Sequence, residues 1–208
     1  TSLKDFAVDP TGVTDCRALF LAASNAGKTL DIPAGTYRVA SNLTVAVPLN
    51  FLAGAKIKLD AGVVLTCSKT IIADPVQQIF DIDLTSRILL AQDHSICWYG
   101  ALRDNTGDAG VPFQKAVNSC GNLTSTGYAT QPGGVFVPQG VYRCTSPVVY
   151  KGSSAFGIKI YGDINSGSFR GDNASSDTPI DPSLAVGSQF SWRGTNRTFL
   201  RFQGGNGC

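Results

Sequence analysis

The sequence predicts a mainly-β chain of short strands with small helices as caps, and three observations predict it. Charged residues make up only 15% of the 208 positions and glycine numbers 23, a balance that suits strands and turns. Beyond the first forty or so residues, apolar runs of four or five alternate with Gly, Pro or Asp. The stretch Asp31-Ile32-Pro33-Ala34-Gly35-Thr36-Tyr37-Arg38-Val39 returns as Phe136-Val137-Pro138-Gln139-Gly140-Val141-Tyr142-Arg143-Cys144. Each copy reads as a short buried strand, a Pro-x-Gly corner, and a second strand with Tyr and Arg on alternating faces. Hairpins and parallel coils both give this spacing, and run length does not choose between them.

The two copies extend beyond the corner. Asp15 and Asp108 lie 93 positions apart (108 − 15), and the same offset pairs Phe6 with Tyr99, Phe20 with Phe113 and Ala23 with Ala116. Pro33 and Pro138 lie 105 apart (138 − 33), so the second copy carries 12 extra residues (105 − 93) between helix and corner. That insertion falls within residues 118–134, rich in Gly, Ser and Thr as surface loops are. The expected organisation is two related parts, residues 1–93 and 94–208, each a helix-capped opening followed by coils of strand.

In chain order, residues 3–8 are expected as a short strand and Asp9-Pro10-Thr11-Gly12 as a turn. Thr14 or Asp15 then caps a helix that runs to about Ala26 and stops at Gly27. Leu19, Ala22, Ala23 and Ala26 give it an apolar stripe at helical spacing. Strands follow at 43–47, 49–52, 56–59, 63–67 and 70–73, with shorter apolar pieces over 79–90. Ile96-Cys97-Trp98-Tyr99 opens the second copy. There Asp108 lies near the helix cap, Pro112 sits in the first turn, and Phe113, Ala116, Val117 and Cys120 share one face. Strands over 148–150, 157–161, 190–192 and 198–202 surround a polar segment over 163–183. Helices this short are marginal alone, so each must lie on a sheet or cover an open end.

Composition excludes several classes of function. A net charge of +2 gives no electrostatic footprint for nucleic acid or a membrane surface. No apolar run approaches the roughly 18 residues of a membrane span, so no membrane insertion is expected. Cys16, Cys67, Cys97, Cys120, Cys144 and Cys208 show no zinc spacing, and there is one histidine. These cysteines are expected as small buried hydrophobes, with disulfides as the alternative; no metal or cofactor is expected. With no methionine and with Gly204-Gly205-Asn206-Gly207-Cys208 closing a strand-like run, the chain is expected to be part of a longer one, truncated at its C-terminus.

Three groups of residues carry a resemblance. Asp5-Phe6-Ala7-Val8, then Gly12-Val13-Thr14-Asp15, an Ala-rich helix and Ile32-Pro33-Ala34-Gly35-Thr36-Tyr37 form the first. Trp98-Tyr99-Gly100-Ala101 restores in the second copy the glycine that Ala7 replaces in the first. Ala53-Gly54-Ala55-Lys56, Gly62-Val63-Val64-Leu65-Thr66 and Gln77-Gln78-Ile79-Phe80-Asp81 form the linking segment. Over roughly residues 3–162 the chain resembles the N-terminal part of pectate-lyase-like proteins, the group that includes phage tailspikes and polysaccharide depolymerases. Cys16, and Ala109 in the second copy, depart from that family's second Asp.

The resemblance implies a right-handed parallel β-helix with short capping α-helices and two repeated openings. It further implies a homotrimer in a virion tail, or an extracellular protein, with bacterial surface polysaccharide and other virion tail proteins as partners. In that family the catalytic acids lie on later coils, so no catalytic residue is assigned. The functions expected are the N-terminal part of a tailspike-like protein that binds and, with downstream coils, degrades polysaccharide; a secreted polysaccharide lyase or glycoside hydrolase; or a non-catalytic attachment module.

The residues themselves offer few candidates. Asp15 and Asp108 fit helix capping better than acid–base work. Aromatic rings stack on sugar faces, which makes Tyr161 and Trp192 candidate substrate contacts beside Tyr128 and Tyr150. The oxygen-rich segment over 171–181 adds Asp172 and Asp177. Asp81 and Asp83 would share one face of a strand, Asp93 is a further carboxylate, and His94 is expected as a plain loop residue. Asn42, Asn122, Asn173 and Asn196 head glycosylation sequons.

Overall fold

The computed structural model describes residues 2–6, 9–120, 123–124, 127–128, 133–151, 159–162, 188–192 and 200–203. The chain opens with a 3-10 turn, Leu3–Phe6, then β1 (Thr11–Asp15) and α1 (Arg17–Asn25). Nine short strands follow: β2 (Leu30–Ile32), β3 (Gly35–Val39), β4 (Leu43–Val45), β5 (Leu49–Phe51), β6 (Ala55–Leu59), β7 (Val64–Cys67), β8 (Ile71–Ile72), β9 (Phe80–Asp81) and β10 (Arg87–Leu90). The second part repeats the opening with β11 (His94–Ser95), a 3-10 turn at Ile96–Tyr99, and α2 (Gly110–Cys120). Then come β12 (Leu123–Thr124), β13 (Gly127–Tyr128), β14 (Val135–Val137), β15 (Gly140–Cys144) and β16 (Val148–Lys151). The last described strands are β17 (Ile160–Gly162), β18 (Ser188–Trp192) and β19 (Leu200–Gln203).

Successive strands go to different sheets. The first part stacks β2-β5-β8, β1-β3-β6-β9 and β4-β7-β10, so every three strands add one to each sheet. The second stacks β11-β14-β17, β15-β18 and β16-β19 on the same plan. Every pairing among these strands is parallel: Leu30 lies beside Leu49, Tyr37 beside Ile57, and Leu43 beside Leu65. Among the described residues, β12 and β13 are the one antiparallel pair. This decides the question the spacing leaves open, in favour of parallel pairing over hairpins.

Burial follows the strand alternation. In β6, Ala55, Ile57 and Leu59 are buried while Lys58 is exposed, and β3 buries Tyr37 and Val39. Phe80 meets Phe51, Trp98 and Tyr99 at ring-centroid distances of 5.8, 6.4 and 5.5 Å, joining the first part to the second opening. Full burial of a side chain such as Phe80 stabilises by about 2–3 kcal/mol. The five described cysteines are free and buried, as expected of small hydrophobes.

The repeat read from sequence is a repeat in space. Cys16 N–H donates to Arg38 O at 2.8 Å, and Ala109 N–H to Arg143 O at 2.7 Å. Thr36 N–H donates to Pro10 O, and Val141 N–H to Arg103 O. Gly12 and Asn105, related by the offset of the repeat, both hold positive φ, +78° and +62°.

Four expectations need correction. Residues 3–6 form a 3-10 turn, not a strand, because Asp5 accepts Ser2 N–H and Leu3 turns wholly into the core. The N-cap of α1 is Cys16, one residue later than expected, though Asp15 still accepts the Arg17 N–H at 3.0 Å. Of the expected stripe on α1 only Ala23 is fully buried, and it shares the buried face with Phe20, whose ring packs edge-on against Tyr37 at 6.4 Å while Leu19 is half-buried and Ala22 and Ala26 are exposed. β9 ends at Asp81, so Asp83 shares no strand face with it; Asp83 instead holds Thr85 and Ser86 N–H groups in a turn.

Candidate functional site

A buried polar arrangement lies around β11, where Asp93, His94, Tyr99 and Tyr161 are joined by hydrogen bonds. The pairing of β11 is short: His94 lies beside Val135 and Ser95 beside Phe136. Just before it, Asp93 reaches across to the segment that leads into β14. Its carboxylate accepts the Gly134 N–H and the Tyr161 O–H, each at 2.5 Å. Lys159 Nζ sits 4.1 Å above the Tyr161 ring, and Phe136 packs beside that ring at 5.4 Å.

Glycines make this approach feasible. A Cβ on Gly134 would fall 2.9 Å from the Asp93 carboxylate, and one on Gly133 2.9 Å from Gln92 O and 3.3 Å from the His94 ring. Burial pushes the Asp93 carboxyl up, but the Tyr161 hydroxyl, the Gly134 N–H and the charges of Lys159 and His94 outweigh it, and the net direction is down. Tyr161 moves the other way, pushed up to about 12 by burial and by the Asp93 carboxylate it bonds.

His94 lies beneath this clamp, 1% exposed, which corrects its expected place in a loop. Its Nδ1 meets the Tyr99 hydroxyl at 2.6 Å and the two rings stack at 6.0 Å. The Ser119 hydroxyl of α2 bonds Tyr99 in turn and accepts the Ile88 N–H of β10 at 3.1 Å. His94 Nε2 is buried with no partner among the described residues. Burial lowers the imidazole to about 4, with the Asp93 charge opposing only in part. Cys120 Sγ points at Gly134 O at 3.4 Å, its thiol pushed far up by burial and then by Asp93.

The candidates named from sequence do not converge. Tyr161 joins the clamp, its hydroxyl and ring both engaged. Trp192 closes β18, its backbone paired with Cys144. Asp172 and Asp177 lie outside the described residues, as do Asn122, Asn173 and Asn196. Asn42 spends its side chain accepting the Val64 N–H at 2.9 Å. No local signal in the sequence marks His94, and the repeat places it only once the bridges are seen. Ser95 stands 93 positions after Ser2, and Ser2 bridges Asp31 just as Ser95 bridges Phe136, which puts His94 in a strand.

Several other described carboxylates serve structure. Asp108 holds the N–H groups of Gly110 and Thr145, each at 2.9 Å, as Asp15 holds those of Arg17 and Ala40. For Asp108, burial raises the carboxyl, but Ser146, Thr145 and Gly110 bring it below the ordinary value. Asp60 takes a two-pronged contact from Arg38 at 2.9 and 2.6 Å, and Asp9 holds Thr11 and Thr14 N–H on the open edge of β1. Among the described residues no three His, Cys or Asp side chains gather as a metal would need, and no helix is long and apolar enough to cross a membrane. Compared with protein-family models, curated proteins and solved structures, the chain matches none.

Proposed function

We propose that the three parallel sheets are the faces of a right-handed parallel β-helix. On this reading the chain is the N-terminal part of a tailspike-like protein that binds, and with downstream coils degrades, bacterial surface polysaccharide. One observation supports it above the others: two congruent openings, each carrying its own helix, in a stack of parallel strands. The proposal includes a homotrimer in a virion tail, with polysaccharide contacts at Trp192, Asp172 and Asp177. Tyr161, engaged by Asp93 and Lys159, serves better as a fastening than as a sugar platform.

The test is direct. The chain is passed over immobilised bacterial surface polysaccharides while its mass is measured by light scattering. A trimer that is retained supports the reading; a monomer retained by none overturns it.

A second reading, a non-catalytic attachment module, draws on the commitment of Asp9, Asp15, Asp60, Asp83, Asp93, Asp104 and Asp108 to hydrogen bonds within the chain. A carboxylate so occupied is poorly placed to protonate a leaving group. A trimer that binds polysaccharide without shortening it favours this reading. A monomer that releases oligosaccharides favours a secreted lyase or glycoside hydrolase.

A further inference from the structure

His94 is the only histidine of the chain, and it sits inside the joint between the two parts. Its own N–H donates to Gly134 O at 2.8 Å, one of the few bonds that pair β11 with β14. We propose that His94 is an acid-sensitive latch on this joint: neutral, it leaves β11 paired with β14, and protonated, it parts them.

The geometry supplies the reason. In the neutral ring one nitrogen donates and the other accepts, so a single good partner at Nδ1, the Tyr99 hydroxyl, serves it passably. Protonation makes both nitrogens donors. Nδ1–H must then donate to Tyr99, whose own proton turns to Ser119, while Nε2–H becomes a buried charged donor with nothing to receive it among the described residues.

The groups that face the ring offer little relief. The 3-10 turn contributes neutral Tyr99, and α2 contributes Ser119 and the un-ionised Cys120 thiol. The segment before β14 contributes the uncharged Gly133 and Gly134. The β17 segment stands beyond Asp93: Tyr161 bonds that carboxylate and the exposed Lys159 lies over the Tyr161 ring, so neither offers the imidazole an acceptor. Among the described residues Asp93 is the negative group that acts on the ring, and it already holds Gly134 and Tyr161. If Asp93 turns to the imidazolium, it drops both; if water enters instead, the His94–Gly134 bond gives way. Either way the β11-β14-β17 sheet loosens at its first strand.

The experiment is an NMR titration of the lone imidazole together with amide hydrogen exchange at His94, Gly134 and Val135, corrected for intrinsic rates, from about pH 7.5 to pH 4. Protection at these amides is expected to fall by about tenfold or more as the imidazole takes up its proton, with the β3–β6 amides unchanged. In His94→Gln the fall disappears. An imidazole that titrates while protection holds overturns the latch, as does an equal loss of protection in His94→Gln. Should that variant fail to fold, the wild-type midpoints decide: coincidence of imidazole and amide curves upholds the latch, and separation of the two overturns it.

Discussion

The side-chain amide of Gln114 pairs with both backbone groups of Val149, donating to its C=O at 2.9 Å and accepting its N–H at 2.6 Å. It does for β16 what a neighbouring strand would do. Gln92 repeats the arrangement on β8, accepting the Ile71 N–H at 2.7 Å and donating to its C=O at 3.1 Å. Ser119, on the same helix as Gln114, takes the Ile88 N–H of β10. Helix α2 thus lies between two strand stacks and satisfies edge groups on both, which is how a helix interrupts stacked parallel strands without orphaning their backbone.

Replacing Gln114 by Leu leaves two peptide groups of Val149 unpaired. The expected loss is about 2 kcal/mol, read as a lower midpoint in urea unfolding at unchanged slope. Gln114→Glu keeps the acceptor and loses the donor, and should fall between the two.

Gly35 holds φ at +140°, and a Cβ there would lie 2.6 Å from Pro10 Cβ. Gly35→Ala is expected to destabilise by about 3 kcal/mol, from backbone strain and the clash together. Thermal unfolding measures it. Alanine at Gly27, which has positive φ but open space around it, should cost only about 1 kcal/mol.

Asn105 occupies the left-handed position that Gly12 holds in the first copy, and its Oδ1 is buried without a partner among the described residues. Asn105→Gly removes both burdens and is expected to raise stability by about 1 kcal/mol. Asn105→Ala loses the tolerance for positive φ and should lower it by a similar amount. If both variants lose stability equally, the conformational account fails.

The pH dependence of stability has a defined sign. The folded imidazole of His94, at about 4, lies below its ordinary 6.5, so the unfolded chain binds the proton more readily. The contribution is complete above 6.5 and declines as pH falls from 6.5 to about 4, by up to about 3 kcal/mol. Asp93 and Asp108, both lowered from the ordinary carboxylate value of 3.8, add their own loss as pH falls below about 5. Urea midpoints should be flat between about pH 5 and 6.5 in His94→Gln and sloped there in the parent protein.

Much of the fold was legible in the residues. The Pro-x-Gly corners, the offset that pairs Phe20 with Phe113, and the apolar face of α2 all reappear in space. Leu3 was not legible, since a short apolar run reads alike as strand or turn. Of the site, Tyr161 and Asp93 were noticed singly, but nothing local says that positions so far apart in the chain share a hydrogen bond. Asp93-His94-Ser95 has turn composition, which reads as a loop; the burial of His94 is conferred by Gly133, Gly134 and α2, remote in sequence.

By itself the sequence determined that this chain is strand-rich, that its opening occurs twice, and that each opening carries a short helix. These follow from side-chain type and spacing, which local geometry reads directly. Only the tertiary structure decided that Leu30 lies parallel to Leu49, that α2 stands between β10 and β16, and that the one imidazole is sealed inside. Side chains alternate with the same period in parallel and antiparallel ladders, and burial belongs to a residue's neighbours in space rather than to the residue.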